Sequence, residues 1–390
     1  MERTPGQTGT ARAGVLGFFV STVFVALLLA ACSSSSEHAK PMSLEAIASP
    51  IEVRRVWDVE LGDSEGTFLR PCVLEQAVYA ASRKGSLVRI DPSSGKEVWR
   101  VQVSGGITAG VGSDGLTVAV VGPRGNVQAY DAEGKALWQA QAPSDVVAPP
   151  LVGHDLVLVR STDQRITAYE AASGKRRWVF QKQQPPLALR TEADLTLSGE
   201  NVLVGFPGGR LGSIALSNGA GRWEAAVSEP KGATEVERLA DVIGVPGLVE
   251  GDVCTASYQG RIGCFDARNG DLRWAREFSA GAGVAVSDDA VYGVDASSHV
   301  TGFKRTSGAS LWQNAALANR GLSAPVIVGK LLATGDFEGR IHFLRREDGK
   351  LVGRFDAAAG RVISTPQTWN GLALFQTARG HLILLSVAGG

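Results

Sequence analysis

The sequence predicts an all-β fold: an eight-bladed β-propeller of four-stranded antiparallel blades, the last blade closed by the N-terminal strand. A repeated phrase, its period and a mismatch between the chain ends predict it. The phrase is an alternating, strand-like run, then Asp, then Gly three or four residues on, then Trp four residues later. It reads Asp91, Gly95, Trp99 in one repeat and Asp131, Gly134, Trp138 in the next. Glu170, Gly174, Trp178 and Asp266, Gly270, Trp274 follow the same form, while Gly219 with Trp223 and Gly308 with Trp312 keep its second half. The tryptophans at 57, 99, 138, 178, 223, 274 and 312 are separated by 42, 39, 40, 45, 51 and 38 residues. A period near 40 in strand-patterned sequence means one four-stranded blade per repeat. Trp57 has no strand pair before it, and the hairpin 372–377 with 381–387 has no Gly and Trp after it. Pairing the two ends closes the ring and removes two exposed sheet edges.

Each part of the phrase has a physical reason. Asp bonds its own backbone two residues on and Gly supplies a positive φ, so together they turn a blade's third strand into its fourth. The tryptophan fills the space between blades, where burying ~200 Å² stabilises by roughly 5 kcal/mol at most. All seven are therefore expected to be structural.

Taken in order, residues 1–14 are polar with Arg3 and Arg12, and residues 15–31 are apolar and end in Leu-Ala-Ala before Cys32. This is a signal peptide, residues 1–31. Residues 32–50 are Ser-rich and then mixed, and read as a flexible tether. The propeller spans 51–390. Second strands are expected at 77–82, 116–122, 156–161, 201–206, 252–257, 290–295, 331–336 and 372–377, which makes eight. Pro71, Pro149, Pro150, Pro246, Pro325 and Pro366 announce inner strands, where proline is tolerated. After Gly349 the tryptophan position holds Gly353, so the seventh interface should be the weakest packed.

Two connections are longer than the others, 180–190 and 224–241. Both follow a tryptophan strand and precede an inner strand, so they emerge on one face from adjacent blades. Long loops on a regular scaffold are where function concentrates. Beside the middle hairpins stand Arg83, Lys84, Arg124, Arg165, Arg210, Arg261, Arg340 and Arg379. The sequence therefore suggests one basic face, on the same side as the long loops, and one acidic face.

Composition excludes more than it assigns. Lys and Arg total 39 and so do Asp and Glu, so no global charge points to nucleic acid. Gly110-Val-Gly112-Ser-Asp-Gly115 matches G-x-G-x-x-G but precedes a strand, so no helix N-terminus awaits a phosphate. The five histidines are scattered without metal-ligand spacing. No catalytic, cofactor-binding or metal residues are assigned, and no enzyme activity is expected. Cys254 and Cys264 flank one hairpin turn. A three-residue loop with Gly260 left-handed sets them opposite each other, allowing a disulfide; a two-residue loop puts them out of register.

The repeats resemble those of propellers that bind pyrroloquinoline quinone, although the vicinal cysteine pair of the quinone enzymes is missing. Over nearly the whole chain, the sequence resembles the BamB-type lipoprotein family of the outer-membrane β-barrel assembly machinery. Leu-Ala-Ala-Cys32 is similar to a lipobox, implying a diacylated Cys32, with Ser33 implying the outer membrane, facing the periplasm. Residues 234–242, Thr-Glu-Val-Glu-Arg-Leu-Ala-Asp-Val, and 186–190, Pro-Leu-Ala-Leu-Arg, are similar to the family's two loop motifs. The resemblance implies Leu187, Leu189, Arg190 and Asp241 as contacts to a periplasmic repeat domain of the barrel-inserting subunit. It departs at Ile243, where the family often has an acidic residue. Separately from the resemblance, open inner-strand or blade edges could accept a client strand by β-augmentation, so unfolded outer-membrane protein clients are a further expected partner, against which ring closure counts. The alternative reading is a quinone- or small-ligand-binding propeller.

Overall fold

The computed structural model describes residues 39–183, 185–189, 194–362 and 364–388. Cys32 and Arg190 lie outside them. Residues 41–390 form one compact unit of eight four-stranded antiparallel sheets. Blade 1 consists of Cys72–Val73, Val78–Ala81, Ser86–Ile90 and Glu97–Gln102. Blades 2 to 7 span 109–141, 151–181, 195–226, 242–278, 285–314 and 326–356. Blade 8 takes three strands from 367–387 and its fourth from Val53–Glu60 at the other end of the chain. Val53 pairs with Val387 and Glu60 with His381, so the ring closes through the strand that carries Trp57.

The core is divided among the interfaces. Eight apolar clusters each join two neighbouring blades, from Tyr79 with Val118 between blades 1 and 2 to Trp57 with Val88 between blades 8 and 1. The second strands are buried almost throughout because both their faces meet other blades. The fourth strands alternate towards solvent.

The repeated phrase works across the interface. Trp57, Trp99, Trp138, Trp178 and Trp223 donate their indole N–H to the carbonyls of Pro92, Ala132, Ala171, Leu216 and Ala267, each in the next blade's turn, at 2.7–3.1 Å. Trp274 and Trp312 do the same to Arg305 and Arg346. The indole rests on that turn's glycine: a Cβ on Gly270 would lie 2.5 Å from the Trp223 ring. Gly270 also has φ +78°, so the turn and the packing both demand glycine. Asp91, Asp131 and Asp266 accept the N–H two residues on, as their turns require.

Blade 7 differs from expectation. Blade 8's third and fourth strands, His381–Val387 and Val53–Glu60, are not joined by an Asp and Gly turn, so no turn glycine waits there for a tryptophan. Ile51 takes the place instead: its N–H donates to the Val352 carbonyl at 2.8 Å and its side chain covers Gly353. Ile51, Val53 and Phe355 pack there, each partly buried, so the place of the missing tryptophan is taken by the strand's own approach. In the G-x-G-x-x-G stretch, a Cβ on Gly112 would stand 2.0 Å from the Pro150 carbonyl. Its glycine serves the close approach of two inner strands.

Candidate functional site

Antiparallel order gives the ring two faces. Blade-to-blade connections and middle hairpins share one, here the loop face; the Asp and Gly turns lie on the other, the turn face. The two long connections meet on the loop face over blades 4 and 5.

The second of them is built by local chemistry. Thr234 Oγ1 accepts the Glu237 N–H at 3.2 Å, and Glu237 Oε2 accepts the N–H groups of Thr234 and Ala233 at 2.9 and 2.8 Å. This reciprocal capping box closes a single helical turn, with the Arg238 N–H donating to the Thr234 carbonyl. These donors hold the Glu237 carboxyl below its usual range. Leu239 and Ala240 then turn inward and are buried. Val236 is left outside, 60 % exposed.

Asp241 joins the two connections. It is buried, and one carboxylate oxygen accepts the Leu189 N–H at 2.6 Å while the other accepts the Gly208 N–H at 3.0 Å. It thus ties the first connection to the second and to the middle hairpin of blade 4. It braces the loops from beneath and does not offer its carboxylate to solvent. Ile243, at the position of the family's second acid, is buried among Cys254, Cys264 and Phe278. A carboxylate there would have no water and no cation in that cluster.

Leu187 is 41 % exposed beside Pro185, Pro186, Pro230, Glu235 and Arg238, around a cleft of about 270 Å³. Leu189 is half-buried against the blade 5 cluster and lines a second cavity of about 360 Å³ with Ser144, Arg160, Gln164 and Pro207. Burial pushes the Arg160 guanidinium down to about 10, against the attraction of Asp194 and Asp241. Sequence reasoning missed Val236. The signal was present, since Thr-x-x-Glu marks a capped turn whose intervening residues face outward.

The central opening is crossed by charge. Arg70 precedes the inner strand of blade 1 and Asp194 that of blade 4, three places round the ring, yet they pair at 2.6 Å. Burial pushes the Asp194 carboxyl up, while Arg70 and Arg160 pull it down. The opening is thus bridged by a buried ion pair and does not stand clear as a channel for a ligand. Among the described residues no three His, Cys, Asp or Glu side chains come together as a metal site.

The basic face does not stand as expected. Arg165, Arg210, Arg261 and Arg340 pair with Asp163, Glu229, Glu277 and Glu338 on the same face. On the turn face, Asp266 and Asp348 pair with Arg268 and Arg345. Neither face carries a single sign. Cys254 stands opposite Cys264 and their sulfurs are bonded, both fully buried in blade 5. The left-handed residue of that hairpin is Gln259 and not Gly260, with the residue sums unchanged.

Comparison with known proteins agrees with this geometry. The family model described as outer membrane protein assembly factor BamB matches residues 83–314 and 296–390. The BamB protein of Bordetella pertussis is 41% identical over 92% of this chain and 94% of its own. That of Burkholderia pseudomallei is 38% identical over 89% and 92%. The crystal structure of BamB from Moraxella catarrhalis superposes with a TM-score of 0.79 at 28% identity, covering 86% of this chain and all of that one. A quinohemoprotein alcohol dehydrogenase from Pseudomonas putida shares the fold alone, at 12% identity and a TM-score of 0.67. The chain belongs to the BamB family of outer membrane protein assembly factors.

Proposed function

We propose that this protein is a non-enzymatic scaffold of the outer-membrane β-barrel assembly machinery, lipid-anchored through Cys32 and facing the periplasm. Its loop face binds a periplasmic repeat domain of the barrel-inserting subunit. The observation that carries the reading is the pair of exposed apolar side chains, Leu187 and Val236, presented on two connections tied together by buried Asp241. Apolar residues on a braced loop bind without the entropy cost of ordering it. Leu187 and Val236 act as anchors, Arg190 and Arg238 orient the partner, and Leu189 and Asp241 position the loops.

The test is co-purification of the barrel-inserting subunit from detergent-solubilised envelopes. Leu187→Arg with Val236→Asp should abolish it while thermal unfolding stays unchanged. Equal recovery with wild type and variant would move the contact elsewhere on the ring. If the subunit never co-purifies, the scaffold reading itself fails.

A further inference from the structure

The segment before blade 8 is not slack over its whole length. The Met42 N–H donates to the Ala318 carbonyl at 2.9 Å, and the Met42 carbonyl accepts Arg320 Nη1 at 3.1 Å. Leu44 packs into the cluster of blades 6 and 7 beside Leu317 and Leu322. The Glu45 carbonyl accepts both terminal nitrogens of Arg354 at 3.3 and 3.2 Å. Ile51 then bonds Val352 at the start of blade 7's outer strand. Residues 42–51 therefore run as a strap down the outer edge of blade 7, from the loop face to the turn face.

Arg320 is the fastening point. It is buried, with Nε donating to Asp336 Oδ2 at 2.8 Å and Nη2 paired with Glu338, so its free fork arm is aimed at Met42. Its guanidinium lies 5.1 Å from the Phe337 ring. Met42 and Phe337 are 49 % and 44 % exposed at this point, an apolar pair where the chain leaves the ring.

We propose that this strap fixes the exit of the lipid anchor on the loop face, and that Met42 and Phe337 rest against the phospholipid surface there. The proposal rests on the reading of Cys32 as the lipidated residue. Met42 lies ten residues along the chain from Cys32, a span of at most about 36 Å. Without the strap the slack would run nineteen residues to Ile51, about 68 Å, and would start from the turn face. The strap halves the reach and moves its origin across the ring. It leaves the loop-face sector of blades 6 and 7 to the bilayer and that of blades 4 and 5 to a protein partner. The side chains at the exit suit that surface, since a thioether and a phenyl ring enter the headgroup boundary without burying a charge.

The test uses the full-length, lipid-modified protein on phosphatidylethanolamine and phosphatidylglycerol vesicles carrying a nitroxide headgroup lipid. In a Cys72→Ser background, a fluorophore is placed at Ser297→Cys on the loop face or at Thr306→Cys on the turn face of the same blade. The Ser297 probe should be quenched several-fold more than the Thr306 probe. Leu44→Ser with Arg354→Ala and Arg320→Lys, which keeps the charge beside Asp336 but removes the fork arm that holds Met42, should erase that difference while the protein still sediments with vesicles, and Phe337→Ser should reduce it. Equal quenching of both probes in the unmodified strap, or a difference that survives the strap variant, would overturn the proposal. Cys32→Ser should no longer sediment; if it does, the anchor reading fails, and that failure is seen in the pellet and not in the quenching.

Discussion

A single glycine shows how tightly the repeat is specified. Gly270 has φ +78° and lies under Trp223, whereas Gly371 has φ +76° and open space around it. Alanine at Gly371 should cost only the left-handed backbone term, about 1–2 kcal/mol. Alanine at Gly270 should add about 1–3 kcal/mol of overpacking against the indole. Urea denaturation of the two variants separates these contributions, and equal losses would mean that the tryptophan moves aside freely. His342 makes a second residue-scale case. It is fully buried, with Nε2 3.0 Å from Asp336 Oδ2. Burial lowers its affinity for a proton more than Asp336 raises it. The unfolded chain therefore binds a proton below about pH 6.5 that the folded chain refuses, and stability falls as pH drops from 7 towards 5, by at most about 1.4 kcal/mol per pH unit. His342→Leu should flatten that limb of the thermal unfolding profile. Asp336 works in the opposite sense: burial raises its carboxyl, but hydrogen bonds from His342, Arg340 and Arg320 outweigh this and hold it at about 2. Its stabilisation is present above about pH 4 and is lost only towards pH 2; in the variant that lower limb should persist but weaken, because Arg340 and Arg320 still hold the carboxylate while the His342 bond is gone.

At the scale of the element, strands were legible and loop interiors were not. The second strands fall within a residue or so of their expected limits, because strand alternation and turn glycines are local signals. Pro71, Pro150, Pro325 and Pro366 directly precede inner strands, and Pro246 sits where blade 5's inner strand shifts register. The two loops were found by their length, but what each residue does in them was not. Asp241 reads as a surface acid in sequence, since its partners, Leu189 and Gly208, are 52 and 33 residues away. The basic ring misled for the same reason, as Glu229 and Glu277 reach Arg210 and Arg261 from the following strand end. Asp241→Ala should leave two part-buried N–H groups without their acceptor and cost about 1 kcal/mol or somewhat more. Hydrogen exchange at the Leu189 and Gly208 amides should quicken with it while the core strands of blade 1 stay protected. Unchanged exchange at both would show that the loops hold without the brace.

The whole molecule depends on an agreement between its two ends. Among the described residues, Val53–Glu60 is the only strand that reaches its blade from the far end of the chain, and it carries the tryptophan that seals blade 8 against blade 1. A chain beginning at Asp63 would leave His381–Val387 as an open edge, strip Trp57 from Gly95, and uncover Ile90 and Leu384. Such an edge pairs with other chains, so this truncation should aggregate on expression. What the ring needs is the strand in its place and not its position in the sequence. The Ala388 N–H already donates to the Glu52 carbonyl at 3.0 Å, next to the Val53–Val387 pair. A chain starting at Asp63 and joined through Gly389-Gly390 to residues 51–62 would make the last two strands of blade 8 an ordinary hairpin with a short loop. This permutant should be monomeric and unfold in one cooperative transition, within a few degrees of the native order. It gives up the strap and the anchor, so it should no longer sediment with membranes. Should the permutant aggregate like the truncation, closure would require the strap of residues 42–51 to be laid along blade 7 before the N-terminal strand can find its edge.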